Sequence, residues 1–295
     1  MNNINSHGYG LLLSAVGVIV LSLDSLLVRL VDGSGWDVIF WRGALMGLSF
    51  GLLCCYGKRL ETLRGKLGVS LVSGILLGLI SIFFVLAVVH TKVANVVVIL
   101  SAAPLFSAIF TRCFLKESVP LRTWIVIMFA MLGIVWVFYG SLEAWDVAGN
   151  IYALASAACV GGNLTLLRHH PKLDRIPLIA LGGGLSALVA FPMASPLALD
   201  LKSYGVLAMM GLVQMPLATV LINNATRYLP SAEVALFYLL EALLGTLWGW
   251  WLLKESPPSA TLFGGGVIII TLLINSFLGM NRSVGVGSPS QVRAG

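Results

Sequence analysis

The sequence predicts an all-α polytopic membrane protein, ten transmembrane helices in two inverted five-helix repeats. Three observations carry that prediction: too little charge for a soluble surface, ten separate apolar runs of spanning length, and an internal repeat that begins an odd number of runs later. Of 295 residues, 58% are hydrophobic and only 10% are charged. A soluble domain carries about 25% charged residues, so this chain cannot cover a water-facing surface. Its mean hydropathy of +0.97 agrees. A water-soluble enzyme or binding domain is excluded on these grounds. The net charge of +6 does not point to nucleic acid. The basic residues lie in short loops between apolar runs, where membrane orientation is set.

A spanning helix needs about 20 predominantly apolar residues. Runs of that kind are expected near 9–31, 36–56, 67–89, 93–115, 121–140, 147–167, 177–196, 204–224, 232–253 and 259–280. Turn-like or charged clusters separate them, such as Asp32-Gly33-Ser34-Gly35, Gly57-Lys58-Arg59, His169-His170-Pro171-Lys172 and Pro257-Pro258. The first run is too long for a cleavable signal peptide, and Asp24 interrupts it. Residues 281–295 are rich in Gly, Ser and Val and are expected to form a disordered cytoplasmic tail.

Orientation follows from the lysines and arginines. If both termini share one side, that side holds thirteen of the eighteen, among them Lys58, Arg59, Arg112, Lys116, Arg168, Lys172, Arg175 and Arg227. The opposite side holds Lys92, Lys202 and Lys254, and Arg29 and Arg42 fall within spans. Basic residues favour the cytoplasmic side, so both termini are expected there, in the cell inner (plasma) membrane. Seven of the eight tryptophans, including Trp36, Trp41, Trp248, Trp250 and Trp251, fall near the outer face and are expected to form an interfacial belt. The four cysteines (Cys54, Cys55, Cys113, Cys159) lie in apolar runs without metal-ligand spacing and are expected to be small buried hydrophobes.

Leu115-Lys116-Glu117-Ser118 recurs as Leu253-Lys254-Glu255-Ser256, a shift of 138 residues. The same shift pairs Ala94 with Ala232, Leu105 with Leu243 and Pro120 with Pro258, and a shift of 139 pairs Asp24 with Asn163. Two halves are therefore expected, residues 1–142 and 143–280, each with five helices. Five is odd, so the second half enters the membrane from the other side. Inverted repeats of this kind build secondary transporters, with the substrate site near the midplane between halves.

The sequence resembles the EamA-type branch of the drug/metabolite transporter superfamily, over nearly all ten spans. In the first half the resemblance rests on Phe40-Trp41-Arg42 and on Ala94 to Glu117, with Pro104 mid-helix. In the second it rests on Pro230-Ser231-Ala232, Leu240-Glu241-Ala242 and Leu253-Lys254-Glu255. The family often has proline after that glutamate. Ala242 stands here instead, from which a straighter ninth helix is expected. The resemblance implies an inner-membrane carrier that exports small organic metabolites, with no particular substrate.

Polar groups inside hydrocarbon are expensive, so each is a candidate for function. Asp24 and Arg42 lie at similar depth, roughly 10 Å below the outer surface at 1.5 Å per residue. An ion pair between them is expected, either as a structural clamp or as a gate or substrate anchor. Glu241 sits near the bilayer centre with no basic residue evident at its depth. Such a carboxyl suits proton coupling or a contact for an amine-bearing substrate. Asn163 and Gln214 are candidates to line the cavity, and Tyr238 can share the face of Glu241 one turn away. Pro104 and Pro216 are candidate helix bends, because each removes a backbone donor. Glu233, after Ser231 in the first turn of its span, is expected to cap that helix. Glycines four apart (Gly43, Gly47 and Gly51; Gly74 and Gly78; Gly245 and Gly249) let helices approach closely.

The expected function is therefore a secondary carrier working by alternating access, driven by exchange or by protons. Its expected partners are membrane lipid and a small metabolite such as an amino acid or amine, with the chain a monomer or homodimer. No cofactor, bound metal or catalytic role is expected: Walker A and HExxH motifs are absent from the sequence. The alternatives are an intramembrane lipid-modifying enzyme, which needs clustered catalytic groups, and a channel, which needs repeated polar rings.

Overall fold

A computed structural model describes residues 3–57, 67–117 and 144–252, Lys254, and scattered positions within 121–136 and 263–270. All regular structure among the described residues is helical. Seven stretches there are long and apolar enough to cross a membrane. The expected fifth and tenth spans and the tail fall largely outside the described residues. The expected ninth is present but divided.

The first span comprises α1 (Asn3–Leu21) and α2 (Asp24–Leu30), separated by a turn at Ser22-Leu23. The second is α3 (Gly35–Tyr56) and the third α4 (Leu67–His90). The fourth comprises α5 (Val93–Leu100), α6 (Ala103–Phe110) and a wider π turn, Thr111–Leu115. In the second half, α7 (Ala144–His169) and α8 (Arg175–Ala190) are continuous. Next, α9 (Leu201–Met209) and α10 (Met215–Ala225) flank a π turn at Met210–Gln214. Finally, α11 (Ser231–Leu236) and α12 (Tyr238–Leu252) meet at Phe237.

Local chemistry sets these boundaries. The Ser34 hydroxyl accepts from the Asp37 N–H at 3.2 Å while the Asp37 carboxylate accepts from the Ser34 N–H at 3.0 Å. This reciprocal box satisfies N-terminal donors of α3. Asp174 caps α8 by accepting from the Ile176 N–H at 3.2 Å. At the other ends, Lys116 and Lys254 both take left-handed backbone, φ 56° and 54°. They occupy matching places in the repeated Leu-Lys-Glu-Ser segments, so the repeat extends to how the chain leaves the helix.

Asp200 caps α9, accepting from the Ser203 N–H at 3.1 Å. The Ser203 hydroxyl and N–H hold its carboxyl below the usual value of 3.8. A depressed pKa means the cap contributes fully above the unfolded-state value and is lost as pH falls through the folded one. The melting difference between wild type and Asp200→Ala is therefore expected to shrink below pH 3.8. A difference constant with pH would show that the cap does not depend on the charge.

Packing joins the halves throughout. Helix α3 packs on α8, α4 on α7 and α8, and α1 on α10. Helices α5 and α6 pack on α7, α12 and α11. These pairings largely exchange with one another when the first half is swapped for the second. The fit between α3 and α8 is backbone on backbone. A Cβ on Gly183 would lie 2.7 Å from the Gly47 nitrogen and 2.8 Å from the Gly43 oxygen. The spaced glycines are what permit this approach.

The exterior is apolar and the interior carries the polar groups. Leu52, Leu188 and Trp251 are exposed, whereas Ser14, Ser70, Ser73, Asn150 and Ser186 are fully buried. That distribution suits a lipid surround, where hydroxyls and amides serve contacts between helices.

Several expectations need correction. Trp250 and Trp251 are exposed, but Trp248 turns inward and donates to the Ser22 hydroxyl at 3.2 Å. A buried indole N–H needs an acceptor, and the turn in the first span supplies one. Of the cysteines only Cys54 is buried; Cys55 and Cys113 are exposed and Cys159 is half-buried. An apolar run in lipid does not have to hide a thiol from its surroundings. Pro230, not Ser231, is the N-cap of α11, with no side-chain cap bond. Glu233 does lie in the first turn of α11, and it also sits 3.4 Å from His7 of α1.

The ninth helix is not straighter for lacking proline. It is interrupted at Phe237, where the Leu240 N–H bonds to the Phe237 carbonyl at 2.9 Å, three residues back instead of four. The fourth span does the same: the Ala102 N–H bonds to the Ile99 carbonyl at 2.9 Å. Ala102 and Leu240 are 138 apart, as are Ile99 and Phe237. One three-residue bond is thus shared at the repeat shift, although the turn lies at Ser101-Ala102 in the fourth span and two residues earlier in the repeat frame, at Phe237, in the ninth. Pro104 follows the first and no proline the second. A tighter turn of backbone bonding makes each.

Candidate functional site

The interruptions surround one central cavity. Leu21 and Asp24 flank the turn in the first span, Leu100 precedes the one in the fourth, and Tyr238 and Glu241 follow the one in the ninth. Met215 and Thr219 follow the π turn of the eighth span. All of them line a cavity of about 60 Å³. Interrupted helices are tolerated at membrane depth where they border a polar cavity or packed protein.

The Asp24–Arg42 pair is its most ordered feature. Asp24 opens α2, and its Oδ2 accepts from Arg42 Nη1 at 2.6 Å. Both side chains are nearly fully buried. Arg42 Nη2 donates to the Ser81 hydroxyl at 2.8 Å and also reaches the Ser81 carbonyl at 3.4 Å. The guanidinium lies 5.9 Å from the centre of the Phe84 ring. One arginine therefore ties α2, α3 and α4 together. Equal depth made the pair legible; nothing in the sequence singled out Ser81.

Glu241 is 2% exposed and lines the same cavity. Arg42 lines it too. A basic side chain therefore shares the chamber of Glu241. Among the described residues, Glu241 Oε2, Asp24 Oδ1 and Arg42 Nε have no hydrogen-bond partner. An unsatisfied buried polar atom is costly, and Asn223, a fourth residue of the same wall, adds a partnerless Nδ2.

Asn163 and Tyr238 also line the chamber. The Asn163 Oδ1 accepts from the Ser73 hydroxyl at 2.7 Å, joining α7 to α4. Gln214 is not among the lining residues. Its Nε2 donates to the carbonyls of Val20 at 3.2 Å and Leu21 at 3.5 Å, at the end of α1. Terminal carbonyls of a helix lack partners within it, and Gln214 supplies one. Pro104 lies in the first turn of α6 and Pro216 in the first turn of α10, beside the interruptions but off the cavity wall. Ser81, Ser156 and Thr219 line the wall and were not singled out from the sequence. Short hydroxyls are frequent in apolar helices and carry no depth signal of their own.

A second buried arginine does a different job. Arg175 donates to the carbonyls of Leu173 at 2.7 Å, His170 at 2.9 Å and Leu167 at 3.1 Å. It fastens the end of α7 and the following loop. Among the described residues no group of three or more His, Cys, Asp or Glu is placed to hold a metal ion.

An apolar exterior around a chamber lined by charged groups, with interrupted helices beside it, defines a polytopic membrane protein. The EamA-like transporter family matches residues 8–139 and again 147–277, and the chain belongs to that family. Its members are transporters of the drug/metabolite type, not enzymes. No curated protein matches the chain. A solved structure described as "Crystal structure of protein" superposes with a TM-score of 0.68 at 15% identity, covering 92% of this chain and 98% of that one. That likeness speaks to the fold alone.

Proposed function

We propose that the protein is a secondary active carrier that exports small organic metabolites across the inner membrane by alternating access. In this reading ten helices form two inverted repeats, 1–142 and 143–280, with both termini cytoplasmic. The observation that carries it is the composition of the chamber: Asp24 and Arg42 come from the first half, Asn163, Tyr238 and Glu241 from the second. A site shared between halves opens to one side or the other as the halves rock. The packing that largely maps onto itself when halves are exchanged supports the repeat.

The chamber of about 60 Å³ is small beside ligand pockets of roughly 300–1,000 Å³. The conformation is thus a contracted one, and the halves must separate to admit a metabolite. Apolar side chains such as Met46, Leu77, Phe84 and Ile179 make up most of the wall. That suits an amphipathic or aromatic molecule carrying an amine, with Glu241 as its contact or as the coupling site, and Asp24 with Arg42 as gate or anchor. The carrier works as a monomer or homodimer.

The test is counterflow in proteoliposomes loaded with amino acids, amines and nucleosides, followed by mass spectrometry at two pH values. Saturable exchange of one class is expected, and Glu241→Gln is expected to slow it by about 10²-fold or to abolish its pH dependence, on the scale of general proton-transfer roles. Exchange by Glu241→Gln as fast and as pH-dependent as wild type would remove Glu241 from coupling. No exchange of any class by folded protein would count against the carrier.

A further inference from the structure

We propose that the chamber holds one sodium ion between Asp24 Oδ1 and Glu241 Oε2, a coupling-ion site for the carrier proposed above. The inference rests on that reading for the use of the ion, but not for its binding. Two carboxylates and one guanidinium face the chamber, so with all three ionised it carries one uncompensated negative charge. Arg42 gives its two terminal nitrogens to Asp24 Oδ2 and Ser81, and its Nε has no partner among the described residues. Two of the other three carboxylate oxygens, Asp24 Oδ1 and Glu241 Oε2, are buried and lack partners among the described residues. A buried charge without compensation is strongly unfavourable, and a single monovalent cation supplies what is missing.

The other available atoms suit a hard cation, which takes oxygen ligands. Ser156, Thr219 and Tyr238 bring hydroxyls to the same wall. The Ser156 hydroxyl donates to the Ile80 carbonyl at 3.3 Å and keeps its oxygen as an acceptor. The volume of about 60 Å³ has room for a small ion and water, since about 10–15 Å³ on this measure suffices for one water. Interruptions of the first and ninth helices adjoin the two carboxylates, and interrupted helices are where coupling ions sit in transporters with repeats.

The full chain, purified in detergent, tests this by thermal unfolding in NaCl, KCl or choline chloride at equal ionic strength, and by direct binding of radioactive sodium. Saturable stabilisation specific to NaCl is expected, with one ion bound. Glu241→Gln is expected to weaken sodium binding by roughly 10–100-fold or more, the scale of losing a group that supports a metal site. Thr219→Val, which keeps the shape and removes one oxygen, is expected to weaken it by less. Identical melting in the three salts, or an unchanged sodium response in both variants, would overturn the site. Metabolite counterflow that persists in sodium-free buffer, from protein that does not bind sodium, sinks this inference and leaves the carrier standing. Sodium binding by protein that exchanges no metabolite leaves the site standing and sinks the carrier.

Discussion

Replacing Arg42 with methionine is expected to destabilise the protein by about 3–5 kcal/mol, the cost of leaving one member of a buried ion pair without its partner. The pair is 2.6 Å long with both side chains almost wholly buried, so little water reaches the stranded carboxylate. Arg42 also fixes Ser81 at 2.8 Å, and its loss frees α4 as well as α2. The double variant Asp24→Asn, Arg42→Met removes both charges together and is expected to recover most of the stability. Denaturant or thermal unfolding of the purified chain decides it. If Arg42→Met unfolds like wild type, the pair is not a clamp. If the double variant is as unstable as the single one, packing of the arginine stem outweighs its charge. Stability regained without transport would separate the clamp from the gate.

Valine at position 183 is expected to be the most damaging single change outside the chamber. Its Cβ would sit 2.7 Å from the Gly47 nitrogen and 2.8 Å from the Gly43 oxygen, and both are backbone atoms with no rotamer to change. Overpacking typically costs about 1–3 kcal/mol where side chains can shift. Here the helices themselves must part, so the expected cost is at or above that range. The neighbouring Gly184 is the control, since a Cβ there meets nothing within 4 Å. Gly184→Ala is expected to leave expression, melting and transport unchanged. Equal behaviour of Gly183→Val and Gly184→Ala would show that the close approach of α3 and α8 does not matter.

Much of the fold was legible because bilayer physics constrains sequence strongly. Apolar length marked the seven spans found among the described residues, depth along two antiparallel spans matched Asp24 to Arg42, and one repeated Leu-Lys-Glu-Ser segment falls in each of the two stretches that the family matches. The break at Phe237 was not legible. Neither Pro nor Gly marks it, and it is made by backbone hydrogen bonds that any residue can form. Arg175 was hidden for another reason: in a tally of loop charges it looks like its solvated neighbours, and only burial and its carbonyl partners reveal a clamp. Glu241 stands out in the sequence as a carboxyl within an apolar run, but its company does not. Two residues 199 apart in sequence meet in one chamber only because helices cross, and no periodicity encodes a crossing. The hydroxyls of Ser81, Ser156 and Thr219 were lost among the many small polar residues that bind helices together.

The contact between Gly43, Gly47 and Gly183 has a mechanical consequence. Side chains act as springs between helices, because they can rotate, compress and exchange neighbours. Where backbone rests on backbone there is no spring. The crossing of α3 and α8 is therefore a hard bearing, and the two axes can roll about it but cannot slide without a steric penalty. If the halves rock as proposed, this crossing is the expected fulcrum. Displacement then grows with distance from the crossing, so the ends of the helices travel furthest while the centre barely moves. Distances measured by spin labels at the helix ends are the ones that would register such a stroke.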